Sequence, residues 1–172
     1  MKTGNPTLPI LIKINKFFAV RSKEIYLFYI LLIFLFIFPV ITHSQTITVK
    51  QDGTGNYTTL QAAIDVALDG DTILVWPGTY VENVEIHDKT ITLGSLTLTT
   101  GDLSYINQTV IDGNQSGSCI KTWNWDNSDT VLINGFTLIN GSGSDCGGVC
   151  GGGIFIEYSN INISDCIVKT IP

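Results

Sequence analysis

The stretch "DGDTILVWPGTYVENVEI", Asp69 to Ile86, decides how the rest of the chain is read. Thr72 to Trp76 is a short, almost wholly apolar run rich in β-branched residues, the pattern of a buried strand. It stops at Pro77-Gly78, and a second apolar run starts after Tyr80. Proline presets φ and removes a backbone donor, and glycine permits bends that other residues resist, so the pair marks a sharp corner. Val81 to Ile86 then reads as the next side of the same object. The corner is the first bend of a scaffold rather than the wall of a cleft.

Upstream of that corner the period changes. Leu60, Ala63, Ile64, Ala67 and Leu68 recur at helical spacing and form one stripe. Thr58 and Gln61 make a T-x-x-Q capping box, and Gly70 is placed to end the helix as a left-handed residue. Thr46 to Lys50 alternates like a short strand, and "QDGTGN" after it is a turn cluster. The sequence therefore predicts one helix, Thr59 to Leu68, lying between strands.

Downstream of Gly70 helical periodicity disappears, and short β-branched runs alternate with Gly, Asn, Asp and Ser. "TVIDGN" at Thr109 aligns with "VLINGF" at Val131, and "NINISDCIV" at Asn160 supplies a third copy once "GSGSDCGGVCGG" is set aside as an inserted loop. Repeats of this size cannot bury an apolar side alone, so they stack as coils whose strands pair in parallel. The alignment predicts inward stacks of Ile111, Ile133 and Ile163, and a shared turn slot for Asp112, Asn134 and Ser164. Cys166 falls in register with Phe136, the place of a core thiol. The helix at Thr59 to Leu68 would cover one end of the stack, where exposed strand edges invite aggregation.

Residues 1–44 read differently. Lys2, Lys13, Lys16, Arg21 and Lys23 precede the uncharged run "IYLFYILLIFLFIFPVIT", Ile25 to Thr42, and small residues stand at Thr42 and Ser44. This is the pattern of a secretory signal cut between Ser44 and Gln45, with a retained anchor as the alternative. Gln45 to Pro172 carries four Lys, no Arg and fourteen acids, 4 − 14 = −10. Such a surface repels nucleic acid and other polyanions. Contact with a membrane is expected only through the signal segment during export, and the mature protein is expected to be secreted or at the cell surface. All four cysteines lie in the exported part, and Cys146 and Cys150 in "CGGVC" could close a small disulfide loop. Their spacing is poor for zinc.

The residues "DGTGNYTTLQAAIDVALDGDTILVWPGTYVENVEI", Asp52 to Ile86, resemble the N-terminal segment of pectin methylesterases and related secreted members of the pectin-lyase-like superfamily. The later "GFTLINGSG…GGGIFIEYSNINISDCIV" is similar to the generic repeats of large secreted or surface β-helix proteins. The resemblance implies an all-β chain: a right-handed, single-stranded parallel β-helix over residues 45–172 with a short N-terminal capping helix. It does not carry catalysis across. The esterases use paired Asp, Gln and an Arg on later coils, whereas here no Gln follows Gln115 and no Arg follows Arg21. Lyase chemistry needs a base beside a neutralising cation, and Lys50, Lys89, Lys121 and Lys169 are scattered. No catalytic residue is assigned.

What is left points to contact rather than reaction. Trp123 and Trp125 stand beside Asp126 and Asp129 in "WNWDNSD", and indole faces stack on sugar rings while carboxylates take the hydroxyls. Asp65, Asp69 and Asp71 could form a carboxylate cluster, but Asp65 and Asp69 stand at i and i+4 on the exposed side of the helix and read as a solvated face rather than an acid/base pair. No cofactor is expected, although Asp145 could contribute to a Ca²⁺ site. Asn56, Asn107, Asn114, Asn140 and Asn162 each fit N-x-[ST]. "DCIVKTIP" stops within a coil, which suggests a piece of a longer protein. The expected function is a β-helix scaffold associated with polysaccharide or cell-surface glycan. A non-enzymatic adhesin or structural array, and the front of a pectinesterase-like enzyme, are the alternatives.

Overall fold

The computed structural model describes residues 23, 25–33, 44–124, 130–143 and 150–169. The chain divides into two units, Met1–Ile41 and Thr42–Pro172. In the first, residues 25–33 are helical. Among the described residues no helix is long and apolar enough to cross a membrane.

Among the described residues the second unit is predominantly β, and every strand pair is parallel. Its strands are β1 (Thr46–Val49), β2 (Thr72–Val75), β3 (Gly78–Val81), β4 (Val84–His87), β5 (Thr92–Ser95), β6 (Thr109–Asp112), β7 (Ile120–Trp123), β8 (Thr130–Asn134), β9 (Thr137–Ile139), β10 (Ile154–Glu157), β11 (Asn160–Ser164) and β12 (Ile167–Lys169). They form three sheets, ordered β1-β2-β5-β8-β11, β3-β6-β9-β12 and β4-β7-β10. From β2 onward the chain visits the first, second and third sheets in turn and then begins again.

Alternation along each strand decides what the circuits bury. In the first sheet Ile73, Leu93 and Ile133 stand in register, each fully buried. In the second, Tyr80, Ile111 and Leu138 do the same. In the third, Val84 and Ile120 are buried and Ile154 packs on the core. Each such aliphatic is worth roughly 1.5–3 kcal/mol when fully buried.

The register corrects the sequence alignment. Ile111 lies in the second sheet and pairs with Leu138, whereas Ile133 lies in the first. Asp112 therefore shares no slot with Asn134. The alignment of Ile133 with Ile163 is right, and Asn134 Nδ2 donates to Ser164 Oγ at 2.9 Å. Cys166 is half-buried against the core, as its register with Phe136 required. The mismatch has a physical cause, because successive first-sheet partners lie 20, 40 and 30 residues apart. The longest circuit contains two short helices, α2 (Thr97–Thr100) and α3 (Ser104–Gln108), where the sequence showed no helical period.

The opening corner is built as expected in place and differently in detail. Gly78 begins β3 outside the left-handed region; a Cβ there would meet Gln51 Oε1 at 2.6 Å. Its role is close approach, since Gln51 Nε2 donates to the Thr79 carbonyl. Tyr80 pins the bend by donating its hydroxyl to the Trp76 carbonyl at 3.0 Å. Lys50 Nζ lies 4.2 Å from the Trp76 ring centroid, covering the corner from outside. Left-handed residues do appear at later corners: Gly135 and Asp165, Asn114 and Asn140, Asp88 and Tyr158.

The helix α1 (Leu60–Val66) packs on β1, β2 and β4 through Leu60, Ala63 and Ile64. Its ends are held from outside rather than by a capping box. Thr59 is the N-cap and makes no side-chain bond, and the Glu82 carboxylate accepts from Leu60 N at 3.1 Å and Gln61 N at 3.0 Å. Lys89 Nζ donates to the carbonyls of Ile64, Asp65 and Ala67. An anion at the start and a cation at the end both suit the helix dipole. The helix is shorter than predicted: the chain leaves it at Ala67, extended at ψ 141°, and Leu68 is 74% exposed. Asp71 is buried, its two oxygens taken by Gln45 N and Leu68 N.

Candidate functional site

The outer face of the third sheet gathers the polar and aromatic side chains that the core does not use. In β4 and β7 alternate residues point inward, Val84 and Ile86, then Ile120 and Thr122, all buried. Their neighbours are pushed outward by the same pleat. Register then sets Glu85, Lys121 and Phe155 in one row across the sheet and His87, Trp123 and Glu157 in another, with the β7 residue in the middle of each.

His87 and Trp123 pack against each other in a tilted pair, with ring centroids 3.4 Å apart and planes at 53°. Lys121 Nζ lies 4.8 Å from the Trp123 centroid. Next to this ring pair is a hollow of about 250 Å³ lined by Lys121, Trp123, Asn124, Glu157 and Tyr158. Asn124 is 3% exposed, so its amide forms a fixed floor, whereas Tyr158 is exposed at the rim in the left-handed conformation at φ 53°. An indole face, a phenol, an ammonium and a carboxylate around one small hollow can stack on a ring and exchange hydrogen bonds with its hydroxyls. The set lacks the hydrogen-bonded nucleophile and base that covalent catalysis requires. Among the described residues no group of three or more His, Cys, Asp or Glu side chains converges as a metal site.

Of the residues singled out in the sequence, Trp123 lies on this face. Trp125, Asp126, Asp129, Asp145 and Cys146 lie outside the described residues. Cys150 is described, and Cys119 and Cys166 are free thiols. Burial raises the pKa of both free thiols, and this disfavours the reactive thiolate. Asp65 accepts from Gln61 Nε2 and Asp69 from Thr90 N, so each serves local structure. Sequence reasoning missed His87, Lys121, Glu157 and Tyr158. The period-two alternation of β4 and β7 carries a signal for the first two, but the third-sheet register that unites them is tertiary.

No family model matches the sequence. The chain is 39% identical over 103 residues to a probable pectinesterase/pectinesterase inhibitor 20 of Arabidopsis thaliana. The match takes in 56% of this chain and 17% of the relative, so the chain spans about a sixth of that protein's length.

Proposed function

We propose that this chain is the front of a right-handed parallel β-helix, exported to the cell surface or beyond, that serves as scaffold for contact with a polysaccharide. The fold reading draws support from three parallel sheets visited in a fixed cycle, with a helix over the side where β1 begins the first sheet. Residues 1–44 act as the export signal and residues 45–172 as the β-helix segment. A Cys146–Cys150 link closes the inserted loop, a pairing favoured because Cys119 and Cys166 are free.

The observation that carries the functional reading is the tilted Trp123–His87 ring pair beside its polar hollow. Trp125, Asp126 and Asp129 belong to the segment joining Asn124 of that hollow to Thr130, and we assign them to the same glycan contact. The similarity to a pectinesterase points to pectin as the polymer class. The net charge of −10 between Gln45 and Pro172 opposes binding of a fully de-esterified, polyanionic pectin. Methyl-esterified pectin or a neutral glycan is therefore the preferred ligand.

Affinity electrophoresis of the exported chain through gels containing esterified pectin, de-esterified pectin or a neutral glucan tests this. Retardation by the esterified polymer that Trp123→Ala abolishes is expected. Equal mobility in all gels would sink the glycan reading. A second reading, a carbohydrate esterase whose reacting residues lie outside this stretch, draws on the same similarity. Methanol release from esterified pectin by the full-length gene product distinguishes it.

A further inference from the structure

Asp71 is a buried carboxylate, 4% exposed, in the loop between α1 and β2. Its Oδ2 accepts from Leu68 N at 2.8 Å and its Oδ1 from Gln45 N at 2.8 Å. Both donors are neutral amides while the chain is uncut. A buried carboxylate served by neutral donors alone bears most of its desolvation cost. Gln45 is held at its other end too, because its carbonyl accepts from Thr72 N at 2.9 Å, and β1 starts at the next residue. Ser44 Oγ donates to the Gly70 carbonyl at 2.6 Å.

We propose that cleavage between Ser44 and Gln45 turns this amide contact into an ion pair, so that removing the leader itself locks the first strand onto the Asp71 loop. The inference rests on the export reading above and adds what cleavage does to the folded unit. Hydrolysis adds water across the peptide bond, leaving a carboxylate on Ser44 and an amine on Gln45 that is protonated at neutral pH. The ammonium keeps a donor on Asp71 Oδ1, and the bond becomes charge-assisted. Loss of Ser44 also frees the Gly70 carbonyl as a second acceptor in the same turn.

The charged groups around Gln45 leave this role open. Asp69, in the same loop, accepts from Thr90 N. Lys89 turns its ammonium to the α1 carbonyls, and Asp65 on α1 accepts from Gln61. On the far side Gln45 borders a hollow of about 280 Å³ with the uncharged Ile47, Asn56, Tyr57 and Val66. An N-terminal glutamine can also cyclise: its free amine attacks its own carboxamide carbon and expels ammonia, leaving a neutral lactam. An amine held protonated by Asp71 is a poor nucleophile, so the paired terminus resists that loss.

The full chain is expressed with its own leader in an exporting host, and the product is examined by intact mass and N-terminal sequencing. The expected product begins at Gln45 with a free amine and no loss of ammonia. Its folded-to-unfolded ratio falls by on the order of tenfold between pH 7 and pH 10, because an ammonium with a raised pKa stabilises below its unfolded value near 8 and stops doing so as pH passes the folded one. Asp71→Asn makes that fall about tenfold shallower than in the wild type, the remainder belonging to the buried thiols Cys119 and Cys166. Should Asp71→Asn not fold, cyanate labelling of the native wild type at pH 8 decides, with the α-amine expected to react many-fold more slowly than in urea. Cleavage at another bond overturns the proposal together with the cleavage reading. A product that starts at Gln45 but is a lactam, shows no loss between pH 7 and 10, or labels equally fast folded and unfolded overturns the ion pair alone.

Discussion

Tyr80 offers the sharpest test of how the opening corner is held. Its ring is buried, 1% exposed, and its hydroxyl donates to the Trp76 carbonyl at 3.0 Å and, less directly, to Val49 O at 3.4 Å. Burial first, and then the negative charges of Glu82 and Asp52, push its pKa from 10.0 up to about 12. A phenol whose folded pKa is raised stabilises the fold fully below its unfolded value and loses that contribution as pH rises through the folded one. At about 1.4 kcal/mol per pKa unit, the loss between pH 10 and pH 12 is roughly 2–3 kcal/mol. The assay is urea unfolding at pH 8, 10, 11 and 12, comparing wild type with Tyr80→Phe. At pH 8 the variant is expected to be less stable by about 0.5–1.5 kcal/mol, the worth of the bond to Trp76. Above pH 10 the two curves should converge and then cross, because phenylalanine cannot ionise. Parallel pH profiles would refute the reasoning, since the alkaline loss would then come from groups other than Tyr80.

Glu82→Ala removes the acceptor for two helix-start amides and should cost about 1–2 kcal/mol in urea unfolding, whereas Thr59→Ala, which removes no side-chain cap bond, should cost much less. Gly135 sits at φ 84° with a Cβ position that would meet Ser95 Oγ and Thr97, so Gly135→Ala should cost more than the ~1 kcal/mol of a strained φ alone, read as a fall in melting temperature. Ile133→Ala empties the middle of the first-sheet stack and should cost about 2–5 kcal/mol by the same unfolding assay. Cys119, fully buried with its thiol 3.1 Å from the Ile139 carbonyl, should resist alkylation in the native protein and react on unfolding, read by mass spectrometry of the peptides.

The parts legible in the sequence are those set by neighbours along the chain. The stripe of Leu60, Ala63 and Ile64 gave a helix because 3.6-residue spacing needs no distant information. Pro77 and Tyr80 gave the corner for the same reason. The register was not legible, since "VIDG" and "LING" have the same local form although one belongs to the second sheet and the other to the first. Period-two alternation is identical on all three sheets, so it tells inside from outside and not which sheet. The insertions that make one circuit 40 residues long destroy any fixed repeat. Glu82 and Lys89 escaped as helix caps because they reach the helix from the chain's return path. His87 and Trp123 meet only through the pairing of β4 with β7.

The arrangement of the insertions bears on where chemistry can sit. Parallel circuits with short corners fix three faces, and a segment added at a corner leaves the strand pairing intact. The α2–α3 excursion enters between the first and second sheets and spends its contacts on β5, β6 and β9, so it is structural filling. Two further connections border the third sheet. One leaves β7 at Asn124 and returns at Thr130; the other runs from the end of β9 into β10 and contains both Cys146 and Cys150. The strands they border, β7 and β10, supply Lys121, Trp123 and Glu157 to the hollow. Loops tolerate variation that strands do not, and binding residues collect where a rigid strand end meets such a loop. On the glycan-contact reading proposed above, the third-sheet face is the place where this scaffold could change its ligand without changing its fold. Exchanging the 125–129 segment for a short glycine-rich turn should alter glycan retention while leaving the urea midpoint close to that of the wild type.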